Sequence, residues 1–175
     1  MKTKLPLSDA LFVAERLVDR LSIYCQRIEI AGSVRRKKSG VGDIELVAIP
    51  RFETDLFGAS SDIHLLDVFD WECVGRIVKG GHKYKQIELE EGVNLDLFIV
   101  TPPAQWGVQF MIRTGSAEFS HRLVTPRKHG GLMPSNYRVK DGAIWSNSHI
   151  IATPEEQDVF DLIGIPFIDP VARTK

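Results

Sequence analysis

The 175-residue sequence predicts an α+β fold: a mixed or antiparallel sheet with helices on one face, then a smaller group of helices and a hairpin. Three observations carry this. Strand-like runs cluster in the first hundred residues, some joined by a tight turn and two separated by a helical stretch, which argues against a purely parallel sheet. The composition shifts at the double proline 102–103. Beyond it lie helical segments and a polar hairpin. The expected division is therefore 1–102 and 103–175.

Residues 8–23, "SDALFVAERLVDRLSI", read as a helix capped by Ser8, with Leu11, Ala14, Val18 and Leu21 on one face. "RIEIAGS" is a strand running into a glycine turn, and "DIELVAI" is a second strand. Residues 62–78 read as a helix on Leu65, Leu66, Val68, Phe69, Val74 and Ile77. "YKQIELE" and "VNLDLFIVT" are two further strands about the turn-like "EGVN". Helical segments follow near 104–112 and 116–124. "YRVKDGAIW" reads as a hairpin turning at Asp141-Gly142. "TPEEQDVFDLIG" reads as a final helix, with a capping box of Thr153 and Glu156, Pro154 at its first position and Gly164 at its close.

Composition excludes several classes. At 43% hydrophobic and net charge −1, the chain reads as an ordinary globular protein with no apolar run able to span a bilayer. "MKTKLPLSDALF" lacks a signal-peptide core, so an intracellular, non-secreted protein is expected. Cys25 and Cys73 read as reduced core thiols, and the five histidines show no zinc-like spacing to either cysteine. The charge is basic only locally, at 35–38, at Lys79, Lys83 and Lys85, and at Arg122, Arg127 and Lys128. Such runs are more often solvated faces than sites.

One stretch resists that bland reading. "AGSVRRKKSGVGDIELVAIP", residues 31–50, sets four basic residues just upstream of two acids. Side chains alternate along a strand, so Asp43 and Glu45 share a face, roughly 6.5–7 Å apart along the backbone. Ile44, Leu46 and Ala48 face the other way. In "VNLDLFIV", Leu95, Leu97 and Ile99 face one side and Asp96 the other. If the two strands are neighbours, Asp96 completes a three-carboxylate cluster suited to Mg²⁺. Two such ions would clamp an in-line displacement at phosphorus. Upstream, Gly32 allows close backbone approach, Ser33 offers a hydroxyl and Arg36 can fork onto phosphate oxygens. Any one acid alone would be better read as merely solvated.

"GSVRRKKSGVGDIE" resembles the nucleotidyltransferase signature of the family X DNA polymerases. "NLDLFIV" is similar to the strand bearing that family's third carboxylate. "RTGSAEF" is similar to its segment ending in a Thr-Gly-Ser turn, and "TPEEQDVFDLIGIPFIDPVART" to its closing thumb sequence. The resemblance implies a nucleotidyltransferase palm over 1–102 and a thumb-like lobe over 103–175. It implies Asp43, Glu45 and Asp96 as catalytic ligands of two Mg²⁺ ions, for which Mn²⁺ can substitute. It implies Gly32, Ser33, Arg36 and Gly42 on the nucleotide's triphosphate, with Gly115 and Ser116 near its sugar across an unusual peptide bond. Glu45 stands where the family usually has Asp, and Ile112 and Arg113 stand where aromatic residues are common. Ser120 and His121 fall where the family reads the base. Nothing corresponds to the family's lyase domain or helix-hairpin-helix repeats, so the likeness is to a minimal palm-plus-thumb form.

The expected function is a monomeric, metal-dependent nucleotidyltransferase: a gap-filling DNA polymerase of the repair kind, acting on nucleoside triphosphate and on gapped or primer-template DNA, with no membrane partner. Arg122, Arg127 and Lys128 are the candidate contacts to the DNA backbone. The alternative is a template-independent transferase acting on RNA, protein or a small molecule. A catalytically silent binding module ranks last, because all three acidic positions are filled. Trp71, Trp106 and Trp145 read as core or lobe anchors rather than stacking platforms, and His121 and His129 as exposed side chains.

Overall fold

The structure, a computed structural model, describes residues 4–54 and 60–173. It is α+β and divides into two compact units. One comprises Met1–Val34 and Lys38–Ile99, the other Arg35–Lys37 and Val100–Lys175.

In the first unit, a short strand β1 (Leu5–Pro6) leads into helix α1 (Leu7–Leu21). Pro6 rather than Ser8 is the N-cap, since the proline's missing N–H costs nothing there and its φ of −56° suits the entry. Ser8 lies inside the first turn, its hydroxyl on Asp9. The buried face is Ala10, Val13, Ala14, Leu17 and Leu21, a stripe at three- and four-residue spacing. Leu11, expected on that face, is 39% exposed.

The sheet that α1 helps to cover contains β2 (Cys25–Ile30), β4 (Asp43–Pro50), β9 (Asn94–Ile99), β8 (Tyr84–Glu88) and β7 (Arg76–Gly80), in that order across it. Only the β4–β9 pair is parallel; the other three pairings are antiparallel, so the sheet is mixed. Ile44, Leu46, Ala48, Leu95, Leu97 and Ile99 alternate into one core with the α1 stripe. Between β2 and β4 come a one-turn helix α2 (Gly32–Arg35) and the short β3 (Gly40–Val41), which pairs with β1.

The expected helix over 62–78 does not form. Strands β5 (Phe52–Thr54) and β6 (Ser60–His64) pair, α3 (Leu65–Val68) makes one turn, and β7 then joins the sheet edge. The break is local: the Asp70 side chain accepts from Glu72 N and caps a 3₁₀ turn at Trp71–Cys73. Leu66 and Trp71 still bury, and the indole donates to Leu66 O at 2.9 Å. Cys73, expected in the core, is exposed, whereas Cys25 is buried and burial pushes its thiol pKa up to about 11.

The second unit packs α4 (Trp106–Thr114), α5 (Ala117–Val124) and α6 (Glu156–Ile163) with a three-stranded sheet β10 (Tyr137–Lys140), β11 (Ala143–Ser146) and β12 (His149–Ile151). The hairpin turns at Asp141-Gly142 with φ of 51° and 75°, both left-handed, as a two-residue turn requires. Strand β12 was not legible in the sequence. The capping box of α6 is Glu155 with Asp158, two residues beyond the expected pair. Gly164 closes the helix at φ 77°. The only cis bond among the described residues is Pro102–Pro103; the Gly115–Ser116 bond is not the unusual one expected.

Glu156 is thereby freed from capping for another task. It is 5% exposed and accepts from Arg35 Nη1 and Nη2 at 3.1 and 2.9 Å, and from the fully buried Arg173. Arg173 also donates to Ile168 O at 2.8 Å and lies over the Phe160 and Phe167 rings. Replacing Glu156 with Ala strands two guanidinium groups, so a loss of about 3–5 kcal/mol is expected in urea denaturation. Asp158→Ala, which removes half of an exposed cap, should lose only about 1 kcal/mol. Equal losses would mean the buried network contributes nothing special.

Candidate functional site

The parallel pairing of β4 with β9 aligns Asp43 with Asn94 and Glu45 with Asp96. Glu45 and Asp96 are thus cross-strand neighbours, and Asp43 lies two residues earlier on the same face as Glu45. All three are half-buried, while Ile44, Leu46, Leu95 and Leu97 between them are fully buried. The hydrophobic alternation therefore fixes the acids on the opposite face from the core, because a one-residue slip would bury charge.

Asp96 is held from the other side by β8. Tyr84 Oη and Gln86 Nε2 both donate to its Oδ1, at 2.7 and 2.8 Å. Gln86 is the cross-strand partner of Asp96, and Tyr84 lies two residues before it on the same face. The sequence reading missed both. The signal was the alternation in "YKQIELE", where Lys85, Ile87 and Leu89 take the buried face and leave Tyr84 and Gln86 on the other.

The glycine turn upstream is built against Glu45. Ala31 N donates to Glu45 O at 2.8 Å. Gly32 follows at φ 58°, and a Cβ there would overlap the Glu45 carboxylate. Only glycine meets both conditions. Glutamate is one methylene longer than aspartate, and it is this carboxylate that lies over Gly32. Ser33 comes next, its Oγ buried with no hydrogen-bond partner. A buried hydroxyl left in that state is costly unless a ligand completes it. Lys38 N donates to Ser33 O at 3.0 Å and closes the loop, with Lys37 exposed at φ 55°. At Gly42 a Cβ would meet nothing within 4 Å, so its backbone is open to approach.

The basic residues are engaged differently from the sequence reading. Arg36 Nη1 donates to the carbonyl oxygens of Thr114 and Gly115, at 2.5 and 2.8 Å, where α4 ends and its dipole favours a cation. Arg35 bonds Thr114 Oγ1 at 2.6 Å besides Glu156, and lies over the Phe110 ring. Gly115 is required locally, since a Cβ would crowd Ser120 Oγ and Phe119. Ser116 caps α5 by accepting from Phe119 N at 3.2 Å. Arg122 and Lys128 are exposed, but Arg127 is tied to Leu132 O and Ile163 O, at 3.1 and 2.6 Å, so it serves the packing of its own unit.

The donor set fits a hard divalent cation. Asp43, Glu45 and Asp96 offer only oxygen, from paired strands with fixed register, which suits Mg²⁺ shared with phosphate. A different group draws its ligand atoms within 4.8 Å of one another among the described residues: His64, Asp67 and His82.

No protein-family model matches the chain. Among curated proteins it is similar to DNA polymerase lambda of Rattus norvegicus, 26% identical over 108 residues that cover 57% of this chain. The chain spans only about 17% of that relative's length. The likeness is distant and supports a relationship to that polymerase at the coarse level. Among the described residues, no helix is long and apolar enough to cross a membrane.

The close approach of Glu45 to Gly32 makes a testable pair. Gly32→Ala should destabilise the protein by about 1–2 kcal/mol or more, from the left-handed backbone alone. Combined with Glu45→Asp, which withdraws the carboxylate, the loss should fall short of the sum by about 0.5–3 kcal/mol. Strict additivity in chemical denaturation would show that the two residues do not meet.

Proposed function

We propose that the chain is a metal-dependent nucleotidyltransferase and, more narrowly, a small gap-filling DNA polymerase. The observation that supports it most is the register of β4 on β9, with Glu45 beside Asp96 and Asp43 on the same strand face. The buried, unpartnered Ser33 hydroxyl supports it independently. The distant likeness to DNA polymerase lambda agrees with both.

In this reading Asp43, Glu45 and Asp96 hold two Mg²⁺ ions. When bound, these supply Lewis-acid stabilisation of the charge developing at phosphorus. The primer 3′-oxygen forms the new bond to the α-phosphorus, the bond to the β-phosphate oxygen breaks, and pyrophosphate leaves. Asp96 Oδ2 accepts the proton of the 3′-hydroxyl, while Tyr84 and Gln86 hold Oδ1 and so fix the rotamer. Ser33 Oγ donates to a phosphate oxygen, and the open backbone at Gly32 and Gly42 lets the triphosphate come close. Arg36 Nη1 holds the carbonyl oxygens that end α4, and the guanidinium charge is assigned to phosphate. Gly115 and Ser116 are assigned to the sugar. Arg122 and Lys128 are assigned to DNA phosphates, with sequence-independent, salt-sensitive contacts.

Asp96→Asn should cut nucleotide transfer by at least about 100-fold, because it removes the proton acceptor as well as a metal ligand. Nucleotide binding, read by equilibrium titration, should change far less. Near-normal transfer rates would remove Asp96 from the mechanism.

The polymerase reading is tested by offering each nucleotide against each templating base in a one-nucleotide gap. Insertion that follows the template supports it. Insertion that ignores the template, or is equally good on a single strand, would favour a template-independent transferase. Nucleotide binding without incorporation would point to an acceptor other than DNA.

A further inference from the structure

We propose a second metal site, for a borderline transition-metal ion such as Zn²⁺, at His64, Asp67 and His82. All three belong to the first unit: His64 ends β6, Asp67 lies in α3, and His82 sits in the turn between β7 and β8. Their spacing, His64-x-x-Asp67 and a second histidine fifteen residues on, resembles no short zinc motif.

The geometry is close to coordination already. Asp67 Oδ2 lies 2.5 Å from His82 Nδ1 and 3.4 Å from His64 Nε2. Tetrahedral ligands at zinc distances of about 2.0–2.1 Å stand roughly 3.3 Å apart, and the three ligand atoms already lie within 4.8 Å of one another. Lys85, 4% exposed, donates to Asp67 Oδ1 at 2.9 Å. That bond turns Oδ2 towards the two imidazoles and is the kind of outer contact that orients ligating carboxylates.

His64 itself is the second observation. Its ring is wholly buried and stacked on the His82 ring at 4.2 Å. Its Nε2 lies 2.9 Å from His82 O, and its Nδ1 has no partner. A wholly buried imidazole that turns its Nε2 to a carboxylate and stacks on a second imidazole is placed as a metal ligand would be. Two imidazole nitrogens and one carboxylate oxygen select zinc-like ions, whereas the all-carboxylate set of Asp43, Glu45 and Asp96 selects Mg²⁺. Three protein ligands leave a fourth position, with His82 O and solvent as candidates. An ion here would tie the end of β6 and α3 to the β7–β8 turn, at the edge of the sheet where β7 is exposed along its length.

The test is titration of the chelator-treated protein with Co²⁺, read by its visible absorption, followed by displacement with Zn²⁺. One equivalent with the strong absorption of tetrahedral nitrogen–oxygen coordination is expected. His82→Ala removes an exposed ligand without opening the core and should abolish the band, as should Asp67→Asn. The band should persist in Cys73→Ser and in Asp96→Asn. Zn²⁺ should raise the thermal midpoint of the parent protein but not of His82→Ala. Absence of the band, its survival in His82→Ala, or its loss in Asp96→Asn or Cys73→Ser would each overturn the proposal.

Discussion

The parallel pairing of β4 with β9 is the constraint on which the candidate site depends. Ile44 and Leu46 in one strand and Leu95 and Leu97 in the other are fully buried. Their alternation leaves one register that hides apolar side chains and leaves acids on the opposite face. That same register makes Glu45 and Asp96 neighbours. A hydrophobic requirement thus positions a polar cluster, and no carboxylate has to pull its own strand into place. The parallel direction needs a long crossover, and the chain between β4 and β9 supplies it with β5, β6, α3, β7 and β8.

Around that pair, local chemistry is adapted residue by residue. Gly32 lacks a side chain where the Glu45 carboxylate passes, and it adopts the positive φ that launches α2. Tyr84 and Gln86 hold one oxygen of Asp96 from the neighbouring strand. The second unit has an equivalent anchor in Glu156, whose two oxygens satisfy Arg35 and Arg173 together. Buried ion pairs of this kind are costly to break rather than large net sources of stability.

Much of the fold was legible because the signals were local. The existence of α1, the alternation in β4, β8 and β9, the Asp141-Gly142 turn and the glycine closing α6 all follow from side-chain period or left-handed backbone, although the buried face of α1 is Ala10, Val13, Ala14, Leu17 and Leu21 rather than the one expected. The errors share one cause. An apolar list over 62–78 fits a helix, but pairing of 76–80 with β8 rewards an edge strand instead. Thr153 and Glu156 match the capping box in spacing and residue type, whereas Glu155 and Asp158 match it in spacing alone. The choice fell to the second pair because Glu156 is held by two guanidinium groups, the buried Arg173 and the half-buried Arg35.

The sequence by itself determined which residues could share a strand face and where the chain must turn, because those follow from two or three neighbouring residues. It therefore held Asp43 with Glu45, Asp96 opposite its own apolar residues, and the glycine-serine turn ahead of them. Only the tertiary structure decided which strands are partners and in what register, where Arg35, Arg36 and Arg127 direct their guanidinium groups, and that His64, Asp67 and His82 meet. These are contacts across long stretches of chain. Burial and hydrogen-bond satisfaction over the whole unit select them, and no local period encodes that selection.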